Sequence, residues 1–128
     1  MFTLEGLDHA ALAVRDVERS ANWYVEVLGF ERRFEGMWKS VPVFVGLGQT
    51  ALALFPAKTA DAKSPDGRAA VRILHLALRA NRENFLAAQH DLTSQGIAFQ
   101  FEDHEISHPI YFRDPDGHQL EITTYDLE

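Results

Sequence analysis

The sequence predicts an α+β fold of two βαβββ modules, with their sheets curved around a cup. Three observations lead there. The chain of 128 residues repeats itself: LDHAALAV at residues 7–14 is echoed by ILHLALR at 73–79, and each is followed by a helical pattern that stops at a glycine. His9 and His75 stand 66 residues apart, Gly29 and Gly96 67 apart. A period of half the chain fits a duplicated module better than a solenoid. Within each half the apolar spacing runs at two, then near 3.6, then at two again, which is strand, helix, strand. Between the halves, residues 57–70 are polar, with Lys58, Asp61, Lys63, Ser64, Pro65 and Gly67, and read as a linker. Module one therefore covers about 1–56 and module two about 71–128. A half of about 55 residues buries too little surface to stand alone, so the modules are expected to pack sheet to sheet, within the chain or across a dimer.

The elements follow in order. In the first strand Leu7, His9, Ala11 and Ala13 share one face and Leu12 and Val14 the other. Asp16 is an N-cap candidate. Val17, Ala21, Tyr24, Val25 and Leu28 then form an apolar helical stripe, and Gly29 suits the left-handed position that ends a helix. Strands are expected at Phe30–Glu35, Val41–Gly46 and Thr50–Phe55. In the second half Ile73, His75 and Ala77 oppose Leu74, Leu76 and Leu78. Asn81 opens a helix whose stripe of Phe85, Ala88, Gln89 and Leu92 is weaker, and Gly96 ends it. Strands are expected at Ala98–Asp103, Pro109–Arg113 and His118–Tyr125, the last two joined by Asp114-Pro115-Asp116-Gly117, a strong turn sequence.

Composition narrows the function classes. The formal charge is −7, which repels phosphate backbones and argues against nucleic-acid binding. With 46% hydrophobic and 24% charged residues, the chain is globular rather than disordered. The absence of cysteine excludes disulfides, thiolate-bound zinc, iron–sulfur clusters and a thiol nucleophile. Residues 40–57 carry no charge, but Pro42, Gly46, Gly48, Gln49, Thr50 and Pro56 break them into two strands and a turn, so no membrane span is expected. Met1–Leu7 contains Glu5 and lacks the basic and apolar regions of a secretory signal; a cytoplasmic location is expected.

Six histidines are the remaining metal or acid–base candidates. His9 and His75 lie on strand faces opposite their helices. In the last strand Leu120 and Ile122 face the helix side, which puts Glu121 on the other face with Gln119 and Thr123. Two imidazoles and one carboxylate converging there would form an open divalent-metal site. Taken singly, each has a plainer reading, His9 and His75 as core histidines and Glu121 as a solvated edge-strand carboxylate.

Those residues carry a resemblance. LDHAALAV with DVERSANWYVEVLGF, then RILHLAL, then IYFRDPDGHQLEI resemble the vicinal oxygen chelate superfamily of glyoxalase I, extradiol dioxygenases, fosfomycin-resistance enzymes, methylmalonyl-CoA epimerase and bleomycin-resistance proteins. The resemblance implies a divalent metal (Fe, Mn, Zn, Ni or Co) held by His9, His75 and Glu121. It also implies a homodimer, in which His9 of one chain joins His75 and Glu121 of the other. Departures narrow the activity. Aligning Gly48 with Gly117 sets Leu52 against Glu121, and a slip of one or two gives Ala53 or Leu54, so the fourth, carboxylate ligand of glyoxalase I is missing. The threonine of fosfomycin-resistance enzymes is Ala11 here. Bleomycin-binding members lack the ligands that this chain keeps.

His104, Ile110-Tyr111, Asp114-Pro115-Asp116-Gly117 and Glu121 are similar to the extradiol dioxygenase signature, with Glu102 in place of a small or apolar residue and no histidine between His9 and His75. Tyr111 and His104 are therefore the catalytic candidates. Tyr111 reads either as a proton or hydrogen-bond donor or as a packing aromatic, His104 and His108 either as site residues or as a solvated loop. Arg113 reads as a partner of Asp114 or Asp116 or as an anion binder. Trp38, Phe34 and Phe44 are candidates for the cup lining; His90 and His118 read as surface. The expected protein is a metal-dependent enzyme for a small molecule with vicinal oxygens, dioxygenase-like or lyase/isomerase-like. The alternative is a drug- or metabolite-binding protein without turnover.

Overall fold

The structure, a computed structural model, describes residues 1–65 and 67–128; residue 66, within the expected linker, lies outside the described residues. The chain divides into two compact units, Met1–Ala62 and Lys63–Glu128. The first holds β1 (His9–Val14), α1 (Val17–Leu28), β2 (Glu31–Arg33), β3 (Val43–Leu47) and β4 (Thr50–Pro56). The second holds β5 (Leu76–Arg79), α2 (Arg82–Ser94), β6 (Gln100–Phe101), β7 (His108–Arg113) and β8 (Gln119–Thr124). Each unit is thus a βαβββ module with one four-stranded sheet, ordered β1-β4-β3-β2 in the first and β5-β8-β7-β6 in the second. The first strand of each pairs in parallel with the last, and the other pairings are antiparallel.

The capping residues act as the sequence predicts. Asp16 accepts from the Arg19 amide at 3.0 Å and Asn81 from the Asn84 amide at 2.9 Å, each satisfying a first-turn N–H that lacks a helical partner. Gly29 closes α1 at φ +74°, where a Cβ would clash with the following carbonyl. Ala21 and Tyr24 of α1 are fully buried among Val14, Phe30, Val45, Leu52 and Leu54 of the first core. Tyr24 and Phe30 meet edge to face, ring centres 5.5 Å apart, worth about 1 kcal/mol beyond area burial. In α2 only Phe85 and Leu92 are buried, in keeping with its weaker stripe.

Several strands are shorter than expected. β2 stops at Arg33 because the backbone turns left-handed at Phe34 (φ +54°), and a short 3₁₀ turn follows at Met37–Ser40. β3 starts at Val43, after Pro42, which has no N–H for the ladder. β5 starts at Leu76, paired with Leu120 of β8, leaving Ile73, Leu74 and His75 outside. β6 is reduced to two residues. The uncharged stretch 40–57 is β3, a turn at Gly48 (φ +52°) and β4. Among the described residues no helix is long and apolar enough to cross a membrane.

Candidate functional site

β8 runs between β5 and β7, so Glu121 belongs to a central strand, not to an edge. It stands opposite Ala77 of β5 and Tyr111 of β7, and is only 9% exposed. That corrects the plainer reading of a solvated edge carboxylate. A buried carboxylate needs partners to offset lost hydration, and two are present. His75, one residue before β5 and on the Ala77 side of the alternation, places Nε2 3.1 Å from Glu121 Oε1. The Tyr111 side chain is hydrogen-bonded to the Glu121 carboxylate; since an ionised carboxylate only accepts, the phenol donates. The His75 and Tyr111 rings meet edge to face with centres 5.7 Å apart.

Burial first, then the negative charges of Glu121 and Glu102, and the hydrogen bond to Glu121, push the Tyr111 phenol above its ordinary 10.0. The hydroxyl therefore keeps its proton at neutral pH and is a donor, not a base. The turn before β8 secures this pairing. Asp114 Oδ1 accepts from the amides of Asp116 and His118, both at 2.9 Å, and the Gly117 amide donates to the Asp114 carbonyl at 3.0 Å. Arg113 donates to the Gly117 carbonyl at 2.7 Å, a backbone brace that neither sequence reading of Arg113 included.

His104 lies between β6 and β7. Its Nε2 is 2.8 Å from Glu102 Oε2 and its ring centre 6.4 Å from that of Tyr111. It flanks Tyr111. His108 opens β7, packs on Phe101 (5.2 Å) and faces Asp103 Oδ1 at 3.6 Å; it is strand, not loop. His90 lies exposed beside Asp91.

Module one repeats the framework with different chemistry. By strand register the counterpart of Glu121 is Ala53, which pairs with Ala11 of β1 and Phe44 of β3. The alignment on glycines placed Leu52 there; the ladders shift it by one residue, and the position still carries no carboxylate. Phe44 is likewise the counterpart of Tyr111. His9, the first residue of β1, stands edge to face on Phe44 with ring centres 5.3 Å apart. Phe34 and Trp38 complete an aromatic cluster, each 5.3 Å from Phe44, and both are about half exposed. His9 Nδ1 is 2.7 Å from Asp8 Oδ2.

Of the expected ligand set, then, His75 and Glu121 stand together in module two, and His9 belongs to module one. Among the described residues no three histidine or acidic side chains form a ready-made metal-ligating group. The pair that does meet suits a divalent ion. Ligand atoms about 2.1 Å from an ion and at right angles to each other lie about 3 Å apart, close to the His75–Glu121 spacing. Asp8 escaped the sequence reading, and Glu102, read there only as a departure from the extradiol signature, is the carboxylate on His104. The Asp8-His9 adjacency was visible, but neighbouring residues in a strand point to opposite faces; Asp8 escapes that rule because it precedes β1. A concavity of about 320 Å³ lined by Arg79, Ala80, Asn81, Tyr125 and Asp126 lies at the far end of β5 from His75.

The fold defines a class, and comparison with known proteins agrees. Residues 6–122 match the Glyoxalase/Bleomycin resistance protein/Dioxygenase superfamily, and the chain belongs to it. Catechol-2,3-dioxygenase of Bacillus subtilis (strain 168) is 28% identical over 120 residues, 91% of this chain but 40% of that protein. The chain thus spans less than half the length of that relative. A glyoxalase/dioxygenase from Nostoc punctiforme superposes with a TM-score of 0.78 at 24% identity, covering 94% of this chain and 90% of that one. Lactoylglutathione lyase from Agrobacterium tumefaciens gives 0.73 at 21% identity, covering 97% and 96%. At these identities the structural likenesses establish the fold.

Proposed function

We propose that this chain is a metal-dependent enzyme for a small molecule bearing vicinal oxygens, with His9, His75 and Glu121 as ligands of one divalent ion. The observation that carries the reading is the His75 Nε2–Glu121 Oε1 pair at 3.1 Å, backed by a phenol that donates to the same carboxylate. When bound, the ion supplies Lewis-acid polarisation of chelating oxygens and, as iron(II), room for dioxygen. The residues supply the rest. Glu121 and His75 lie side by side as donors. Tyr111, held protonated, offers a hydrogen bond to negative charge developing on a substrate oxygen. His104, anchored by Glu102, flanks Tyr111 as the acid–base candidate.

Dioxygenase-like chemistry is favoured over lyase or isomerase chemistry. The Tyr111–Glu121 pairing and the His104 position support it, as does the likeness to a catechol-2,3-dioxygenase. The absence of a carboxylate at Ala53 weighs against a glyoxalase I-type site. A cytoplasmic homodimer in which His9 joins His75 and Glu121 of the partner belongs to the same proposal. The exposed Phe34–Trp38–Phe44 cluster supports a second reading, a protein that binds an aromatic drug or metabolite without turnover.

The test is elemental analysis after anaerobic reconstitution with iron(II), followed by oxygen uptake with catechol, on wild type and Glu121→Ala. About one ion per chain and oxygen uptake, both lost in the variant, are expected. A protein that takes up no specific ion overturns the metalloenzyme reading and leaves the binding protein. One that holds iron but consumes no oxygen, and instead isomerises a hemithioacetal, moves it to the lyase branch.

A further inference from the structure

Asp8 carries an inference about how His9 is presented. An ionised carboxylate can only accept, so at 2.7 Å from Asp8 Oδ2 the His9 Nδ1 holds the proton. The Nε2 lone pair is then free. This is the less populated tautomer of an unconstrained neutral histidine side chain, and it exists here because the hydrogen bond selects it. Phe44 meets the ring edge to face at 5.3 Å, so the imidazole is held by one neighbour through its Nδ1 and by another through its ring. In module two the nitrogen facing the carboxylate ligand is Nε2 of His75. With an ion in place, the two histidines would present the same nitrogen, Nε2, by different means. His75 is aimed by the start of β5, whereas His9 is aimed by the residue before it in sequence.

We infer that Asp8 is a positioning residue for the metal centre, fixing His9 as the Nδ1–H tautomer so that Nε2 is the ligand atom. This rests on the reading of His9 as a metal ligand, extending it to a residue that supplies no ligand atom itself. Carboxylates behind a ligating imidazole raise its basicity and hold its orientation, and their loss weakens metal binding by about 10- to 100-fold. Asp8 is 94% exposed at its side chain, so water competes for the same hydrogen bond and the effect is expected at the lower end, about 10-fold.

The experiment uses metal-free full-length protein at pH 8. Long-range ¹⁵N–¹H correlation of the side chains reads the His9 tautomer in wild type, Asp8→Ala and Asp8→Asn. Zinc affinity is measured by competition with a chelator on the same proteins and on His9→Ala. The exposure of Asp8 means its variants keep the core intact. Expected are Nδ1–H in wild type, a reversion to Nε2–H in Asp8→Ala, and about 10-fold weaker zinc binding in that variant, with Asp8→Asn in between. A zinc-binding wild type with His9 as Nε2–H overturns the role of Asp8 alone. So does an unchanged zinc affinity in Asp8→Ala when His9→Ala has lost it. A wild type that binds no zinc overturns the metal-centre reading and this inference with it, whatever the tautomer.

Discussion

Replacing Tyr111 by phenylalanine removes one oxygen and tests the core of the site without changing the ring. At neutral pH the hydroxyl donates to the buried Glu121 carboxylate. A hydrogen bond to a charged group contributes about 1.5–3 kcal/mol. His75 still faces Glu121 at 3.1 Å and solvent reaches the half-buried Tyr111 position, so the expected cost is near 1 kcal/mol. Alkaline pH removes that contribution. The Tyr111 pKa is raised in the folded state by burial, then by Glu121 and Glu102, so the folded protein holds the phenolic proton more tightly than the unfolded chain. A group of that kind contributes fully below its unfolded pKa of about 10 and loses the contribution as pH rises through the folded value. The limiting slope is about 1.4 kcal/mol per pH unit; solvent screening at a partly exposed ring reduces it, and about 0.5 kcal/mol per unit is expected. Urea unfolding of wild type and Tyr111→Phe at pH 7, 9, 10 and 11 gives the answer as a difference, in which the other tyrosines cancel. The gap between the two proteins is expected to shrink above pH 10. A gap that stays constant from pH 7 to 11 would refute the idea that Glu121 and burial hold the phenol protonated.

Two further substitutions probe the scaffold that positions the site. Ser20 Oγ is fully buried on α1 with no hydrogen-bond partner among the described residues, so Ser20→Ala is expected to raise the unfolding free energy by about 1 kcal/mol, through a removed desolvation penalty and better helix propensity; a loss of stability in thermal denaturation would show that the hydroxyl is satisfied. Asp114→Ala deletes two hydrogen bonds to the amides of Asp116 and His118 and is expected to cost about 2 kcal/mol and to loosen the β7–β8 register, read as faster amide exchange at Tyr111 and Glu121. Unchanged exchange there would mean that the ladder, not the turn, sets the pairing.

The local rules of the chain carried most of the architecture. The two caps at Asp16 and Asn81, the glycine stops and the Asp114–Gly117 turn depend on backbone chemistry within four or five residues, and each is where the sequence placed it. The alternation that put Glu121 on the face away from Leu120 and Ile122 is equally local. Strand ends were less legible. β5 could not be shortened to Leu76–Arg79 from its own residues, because the extent of a ladder depends on the strand it pairs with. The left-handed run through Phe34, Trp38, Lys39 and Ser40 carries no sequence signal, since non-glycine residues with positive φ are held by their surroundings.

The sequence by itself determined that this chain is two βαβββ modules and that module one has no carboxylate to match Glu121, because composition and period are properties of the chain alone. Only the tertiary structure decided which atoms meet. It set the register that puts Tyr111 across from Glu121 and Phe44 across from Ala53. It placed Glu121 in a central strand, where burial makes partners obligatory, and it closed the His75–Glu121 contact at 3.1 Å. Hydrogen bonds and ligand geometry change over tenths of an ångström, and distances on that scale follow from the packing of segments remote in sequence.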